Sequence, residues 1–260
     1  SLTDLARHVE PSQSEGWTGL SPRHVVLVLP KVAKLEALAN VPGRETLSAA
    51  LKRRKKTLEE LAKSPIATDL PQGGLASWIM LDPARAVVVV VDLQEKLMPA
   101  IAGREQVLRN SLLLIRLAGV LELPVILTTQ YRKGLGEIVP EVTLAAPAQA
   151  PLDKVAFGCF GSPEFAARIE GLAGRDQLVV AGVEAHICVA QTVLGALARG
   201  FAVHVAADAV GSRTPENRAI GLRRMEKAGA VISSAEMAIY ELLGRSDASA
   251  FKAMLPHLRG

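Results

Sequence analysis

The chain is poor in the residues that would assign it to several protein classes. Only two of its 260 residues are cysteine, Cys159 and Cys188, 29 positions apart. That is too few for a disulfide framework, and no paired-cysteine motif offers a zinc site. Aromatics amount to 3%, so the core must be aliphatic. Long apolar runs are missing too: the longest stretch, SLLLIRLAGVLELPVIL, carries Arg116 and Glu122, and no segment qualifies to span a bilayer. The opening SLTDLARHVEPSQSEG lacks the apolar centre of a signal peptide. Neither sign of charge dominates. Thirty Lys and Arg stand against 26 Asp and Glu, for a net +4, too small an excess to argue for nucleic acid or membrane. The expectation is a soluble, reduced, cytoplasmic protein.

From residue 86 onward the pattern alternates between two periods. AVVVVV (86–91), PVILTT (124–129), KVAFGCF (154–160), QLVVAGV (177–183), FAVHVAADAV (201–210) and AVISS (230–234) read as strands. Between them lie helical segments at 104–122, 162–173, 185–200 and 215–229, and two short helices close the chain. Continuous rather than alternating Val, Ile and Ala runs mark strands buried on both faces. Strands separated by helices imply βαβ units and a parallel sheet. The predicted fold is a doubly wound three-layer α/β domain over about 82–260, Rossmann-like in architecture.

Residues 1–81 read as a small α+β extension of unknown role. HVVLVLP (24–30) has a strand pattern. GRETLSAALKRRKKTLEELAKS (43–64) has a helical one, with Leu47, Leu51, Leu58 and Leu61 on its inward side, and GGLASWIML (73–81) is a second strand or a packed arm. The basic run KRRKK at 52–56 has no stacking aromatics beside it, which favours a solvated helix face over nucleic-acid binding. The two apolar segments must be buried somewhere, so docking on the rest of the chain and a homo-oligomer are expected.

In open parallel sheets the ligand crevice lies at the carboxyl ends of the strands. That rule selects Asp92, Gln94 and Glu95 after the first strand, and Gln130, Tyr131, Arg132 and Lys133 after the second. After the fourth come Glu184, His186 and Cys188, and after the fifth Asp208 and Ser212. Lys154 is read as the start of the third strand, within reach of the same crevice. A thiol of pKa near 8.5 is only about 3% ionised at pH 7, so a nucleophilic cysteine needs activation. A helix N-terminus and the Lys154 ammonium would favour the Cys188 thiolate, and Asp92 would accept the thiol proton. Backbone N–H groups around Glu184 and Cys188 would face an oxyanion. A free cysteine at an apolar strand–helix corner also serves as plain core filler, and the residues alone leave both readings open. Cys159, between two Phe, reads as a buried small hydrophobe. His186 reads as structural rather than pocket-lining, and Asp208 as a cap for the turn before the helix at 215.

Taken in order and spacing, AVVVVVDLQEKL, LDKVAFGCF and GVEAHICV resemble the isochorismatase-like cysteine hydrolase superfamily over about 86–245. TTQYRKGLG and FGCFGSPEF resemble its isochorismatase domain-containing protein subfamily. The resemblance implies a catalytic triad of Asp92, Lys154 and Cys188, a non-proline cis peptide at Val183–Glu184, and a covalent acyl-enzyme on a small-molecule amide or related C–N or acyl bond. Gln94, Gln130, Tyr131, Phe157 and His186 are the pocket candidates. The loop TTQYRKGLGEIVP lacks the Asp-x-His…His metal site of nicotinamidases, so no metal and no cofactor are expected. The alternative is a catalytically silent assembly module on the same fold.

Overall fold

The computed structural model describes residues 80–258. The readings of 24–30, 43–64 and most of 73–81 therefore lie outside the described residues. In chain order the elements are β1 (Ala86–Val91), α1 (Arg104–Val120), β2 (Val125–Gln130), α2 (Arg132–Leu135), α3 (Pro140–Ala145) and β3 (Leu152–Lys154). There follow α4 (Pro163–Glu170), β4 (Gln177–Val183), α5 (Ala190–Ala198), β5 (Ala202–Gly211), α6 (Pro215–Lys227), β6 (Val231–Ser233), α7 (Ala235–Leu243) and α8 (Ser249–Leu258).

The six strands form one sheet in the order β3-β2-β1-β4-β5-β6, and every pairing is parallel. This is the doubly wound arrangement read from the sequence. Its central strand shows why the run of valines works. Val88 and Val90 pack into one core cluster with α1, α7 and α8, while Val87, Val89 and Val91 pack into the other with α4, α5 and α6. Side chains alternate across a strand, so a strand covered on both faces needs an apolar residue at every position. Each of these valines, wholly removed from water, contributes roughly 1.5–3 kcal/mol of transfer free energy.

Three helix starts follow from capping residues. Ser162, Thr214 and Ser234 accept bonds from the backbone N–H groups of Phe165, Asn217 and Met237 respectively, as N-cap hydroxyls do. Two local readings need correction. Asp208 does not cap the turn before α6, where Thr214 does that work; its carboxylate instead accepts from Ala235 N–H, 2.7 Å away, at the start of α7. The third strand is shorter than KVAFGCF and ends, rather than begins, at Lys154. Only three residues of this edge strand find partners on β2. Beyond them the chain bends away, leaving Val155 80% and Phe157 55% exposed.

The strand order reverses between β1 and β4, and there the two backbones nearly touch. Gly182, at φ +112°, is paired with Val91, and a Cβ on it would lie 2.0 Å from the Val91 carbonyl oxygen. Only glycine fits. The close approach brings the end of β1 against the turn that leaves β4, which is the topological switch point where doubly wound sheets bind ligands.

Candidate active site

Asp92 follows β1 directly and is buried, in a left-handed conformation at φ +52° that few non-glycine residues adopt. The kink turns its side chain out of the strand alternation and over the sheet end. One carboxylate oxygen, Oδ2, accepts from Lys154 Nζ at 2.7 Å, and Oδ1 accepts from the Thr128 hydroxyl at 2.8 Å. The Lys154 and Asp92 side chains are 1% and 0% exposed, so this is an ion pair shielded from water. Lys154 Nζ also donates to Gln130 Oε1 at 2.9 Å.

The chain leaves β4 through a cis peptide at Val183–Glu184 and enters a wide five-residue π-type turn, Ala185–Val189, that runs into α5. The helix expected over 185–200 is thus two pieces, with Cys188 in the first. Gly221 of α6 allows this turn to sit close: a Cβ there would lie 2.8 Å from the Ala185 carbonyl oxygen. The Asp92 carboxylate and the Lys154 ammonium both act electrostatically on the Cys188 thiol. Burial and the neighbouring carboxylate push it up to about 12, against the weaker opposing pull of the Lys154 ammonium. The activation expected from a helix start and a lysine therefore does not hold at rest: the group is a protonated thiol, because desolvation and Asp92 oppose the thiolate more than Lys154 favours it.

Cys159 is wholly buried, as expected of a small hydrophobe, yet it is not remote. Its thiol lies 3.9 Å from the Thr128 hydroxyl, and its N–H donates to Thr192 Oγ1, which in turn donates to the Cys188 carbonyl. Burial pushes this thiol up to about 11. Both folded-state values exceed the ordinary 9.0, so the folded form holds these protons more tightly than the unfolded chain. Their stabilising contribution is complete below pH 9 and is lost as pH rises towards 11–12. Urea melts should lose about 1 kcal/mol per thiol per pH unit above 9, with a smaller loss in Cys159→Ala. An identical alkaline slope in that variant would contradict the assignment.

The other candidates scatter. Gln94 and Gln130 are buried and their amides are engaged internally, so they frame the ion pair rather than line an open pocket. Tyr131 is 51% exposed, its ring against Gly134, and Phe157 faces solvent. His186 is half-buried with its Nδ1 3.0 Å from the Ser212 hydroxyl. The Glu184 carboxylate accepts from both the backbone N–H and the Nε of Arg213. Thr128 was missed. The available signal was a hydroxyl at the end of β2, in register with Val91, beside the strand that delivers Asp92. Among the described residues no group of three or more His, Cys, Asp and Glu is placed to hold a metal ion, and no helix is long and apolar enough to cross a membrane.

A parallel sheet of order 3-2-1-4-5-6 with a buried acid, amine and thiol at its switch point defines the class as a doubly wound α/β protein. The Isochorismatase domain family model matches residues 86–237, more than half of the chain, and the chain belongs to the isochorismatase family. Among curated proteins it is 37% identical to isochorismatase domain-containing protein 1 of Salmo salar over 172 residues, 66% of this chain and 60% of the relative. The chain thus spans about three fifths of the length of that relative, and the name agrees with the subfamily that the motifs resemble. Among solved structures it is similar to the MAR1 ribonuclease of Caenorhabditis elegans, with a TM-score of 0.66, 34% identity and coverage of 70% of this chain and 93% of that one. YcaC is similar in two forms. The Pseudomonas aeruginosa protein, solved with hexane-2,5-diol and covalent acrylamide, has a TM-score of 0.65 and 31% identity over 68% of this chain and 91% of its own. The Escherichia coli protein, described as an octameric hydrolase of unknown specificity, has a TM-score of 0.65 and 29% identity over 69% and 90%.

Proposed function

We propose that the protein is a cysteine hydrolase acting on a small-molecule amide or related acyl bond, with Cys188 as nucleophile, Asp92 as base and acid, and Lys154 as electrostatic partner of both. The observation that carries this reading is the buried Asp92–Lys154 ion pair, braced by the Thr128 hydroxyl, with both of its charges acting on the Cys188 thiol. A carboxylate base and a fixed cation beside a thiol are the groups such chemistry requires. The thiol rests protonated, so its proton passes to Asp92 as the sulfur attacks the carbonyl carbon. The oxyanion forms against the N–H groups of Glu184 and Cys188. When the C–N bond breaks, Asp92 returns the proton to the leaving amine, giving a thioester on Cys188. A water then gives a proton to Asp92, attacks the thioester, and releases the acid as the C–S bond breaks and the thiol is restored.

Family membership, and the covalent acrylamide in the Pseudomonas aeruginosa neighbour, support a hydrolase with a reactive side chain. Acid-quenched mixtures with activated amides and esters should show a mass increase equal to the acyl group on the peptide containing Cys188. Turnover without any such adduct, or an adduct confined to Cys159, would overturn the covalent route. An RNA oligonucleotide belongs in the same panel, since one neighbour is called a ribonuclease. We further propose a homo-oligomer, supported by the octameric Escherichia coli neighbour and by the exposed apolar Leu144, Val155 and Phe157; a monomeric mass in light scattering would rule it out.

A further inference from the structure

Four buried polar residues close a ring at the ends of β1, β2 and β3. Asp92 bonds Lys154, Lys154 bonds the Gln130 side chain, and the Gln130 backbone N–H donates to Gln94, two residues along the chain from Asp92. Building on the proposed role of Lys154 as electrostatic partner of the thiol, we propose that Gln130 is the positioning residue for Lys154 and that Gln94 holds Gln130 in place.

A lysine ammonium is a point charge on a flexible four-carbon stem. One contact, to Asp92, leaves it free to swing about that bond, whereas the second, to Gln130 Oε1 at 2.9 Å, fixes its direction. The Gln130 amide has only one workable orientation. Its Nε2 donates to the Val155 carbonyl at 2.9 Å, so a flipped amide would set N–H groups against the ammonium and oxygen against oxygen. Gln94 clasps the Gln130 backbone from both sides: its Oε1 accepts from Gln130 N–H at 2.7 Å and its Nε2 donates to the Gln130 carbonyl at 3.2 Å. The same Nε2 donates to the Gly136 carbonyl at 2.8 Å, tying the loop after β2 into the ring. The in-register pairing of Gln130 with Lys154 brings the two side chains together. A network in which every member is satisfied is rigid, and rigidity is what a charge needs if it is to act on a neighbouring thiol in a fixed geometry.

The test is the rate of Cys188 alkylation by iodoacetamide in the full chain, read by peptide mass spectrometry across the neutral and alkaline range. Gln130→Met keeps the volume and removes the acceptor; Gln130→Glu keeps the acceptor; Lys154→Met is the reference. Gln130→Met should slow alkylation about tenfold and move its pH midpoint upward, since an unheld ammonium favours the thiolate less. Gln130→Glu should recover most of the rate, with the midpoint still raised by its added negative charge. If Gln130→Met matches wild type while Lys154→Met is slowed, the positioning role is wrong. If Lys154→Met also matches wild type, the reading of Lys154 beneath it is wrong. A slow Gln130→Met that Gln130→Glu does not rescue, with a lowered melting temperature in both, means that Gln130 only supports the fold. Should Gln130→Met fail to fold, Gln130→Ala, which also removes the acceptor, decides: alkylation with the wild-type rate and pH midpoint, while Lys154→Met is slowed, overturns the proposal.

Discussion

Cys188→Ala is expected to abolish hydrolysis of every substrate that wild type turns over, a loss of roughly 10³-fold or more, with the fold intact. Removing a covalent nucleophile leaves only binding and oxyanion stabilisation, which by themselves accelerate little. The side chain is small and 7% exposed, so the truncation leaves little void and the melting temperature should move by only a few degrees. Cys188→Ser separates shape from chemistry. The hydroxyl fills the same space but ionises far less readily than a thiol, and its rate should stay close to that of the alanine variant. The measurement is initial velocity on an amide and ester panel beside thermal melts of the same samples. Retention of more than about a tenth of wild-type velocity by Cys188→Ala would remove Cys188 from the chemistry.

The second large effect concerns stability. Asp92→Asn keeps the shape of the carboxylate but leaves the Lys154 ammonium, 1% exposed, with no opposing charge. Breaking a buried pair in this way costs about 3–5 kcal/mol. Lys154→Met strands the carboxylate and should cost a similar amount. The double variant Asp92→Asn/Lys154→Met removes both charges and should recover most of the loss, because the desolvation penalty of the pair disappears with its attraction. It should nonetheless be inactive. Urea melts of the four proteins, closed as a double-mutant cycle, measure the coupling; additive losses would mean that the two charges do not stabilise one another.

How far the sequence anticipated this arrangement depends on the physical range of each signal. The valines of β1 and the strand–helix periods are local patterns, and they lead to the right fold class and to the segments just beyond β1 and β4, where Asp92 and Cys188 stand. Lys154 reads as the start of its strand but stands at its end, since the apolar look of VAFGCF conceals that an edge strand pairs only as far as β2 extends. Gln94 and Gln130 read as pocket residues because a polar side chain at a strand end looks the same whether its partners are protein or ligand. The protonated state of Cys188 was illegible for a further reason. Helix start and lysine are visible in the sequence, whereas depth of burial and the nearness of the Asp92 charge exist only after folding.

The close fit of Gly182 against Val91 bears on how the protein is made. Asp92 and Lys154 are 62 residues apart in the chain, and Cys188 is synthesised later still, so the three groups cannot come together until β4 has docked on β1. A ribosome-bound fragment ending before β4 carries the acid and the amine without the thiol they surround. Once Cys188 has emerged, its thiol stays in water at its ordinary acidity until the sheet closes over it. Sheet closure, the slow long-range step in forming parallel strands, is therefore also the step that takes the thiol out of general circulation. The reactivity of Cys188, followed separately from that of Cys159 during refolding, reports on the joining of the two halves of the sheet.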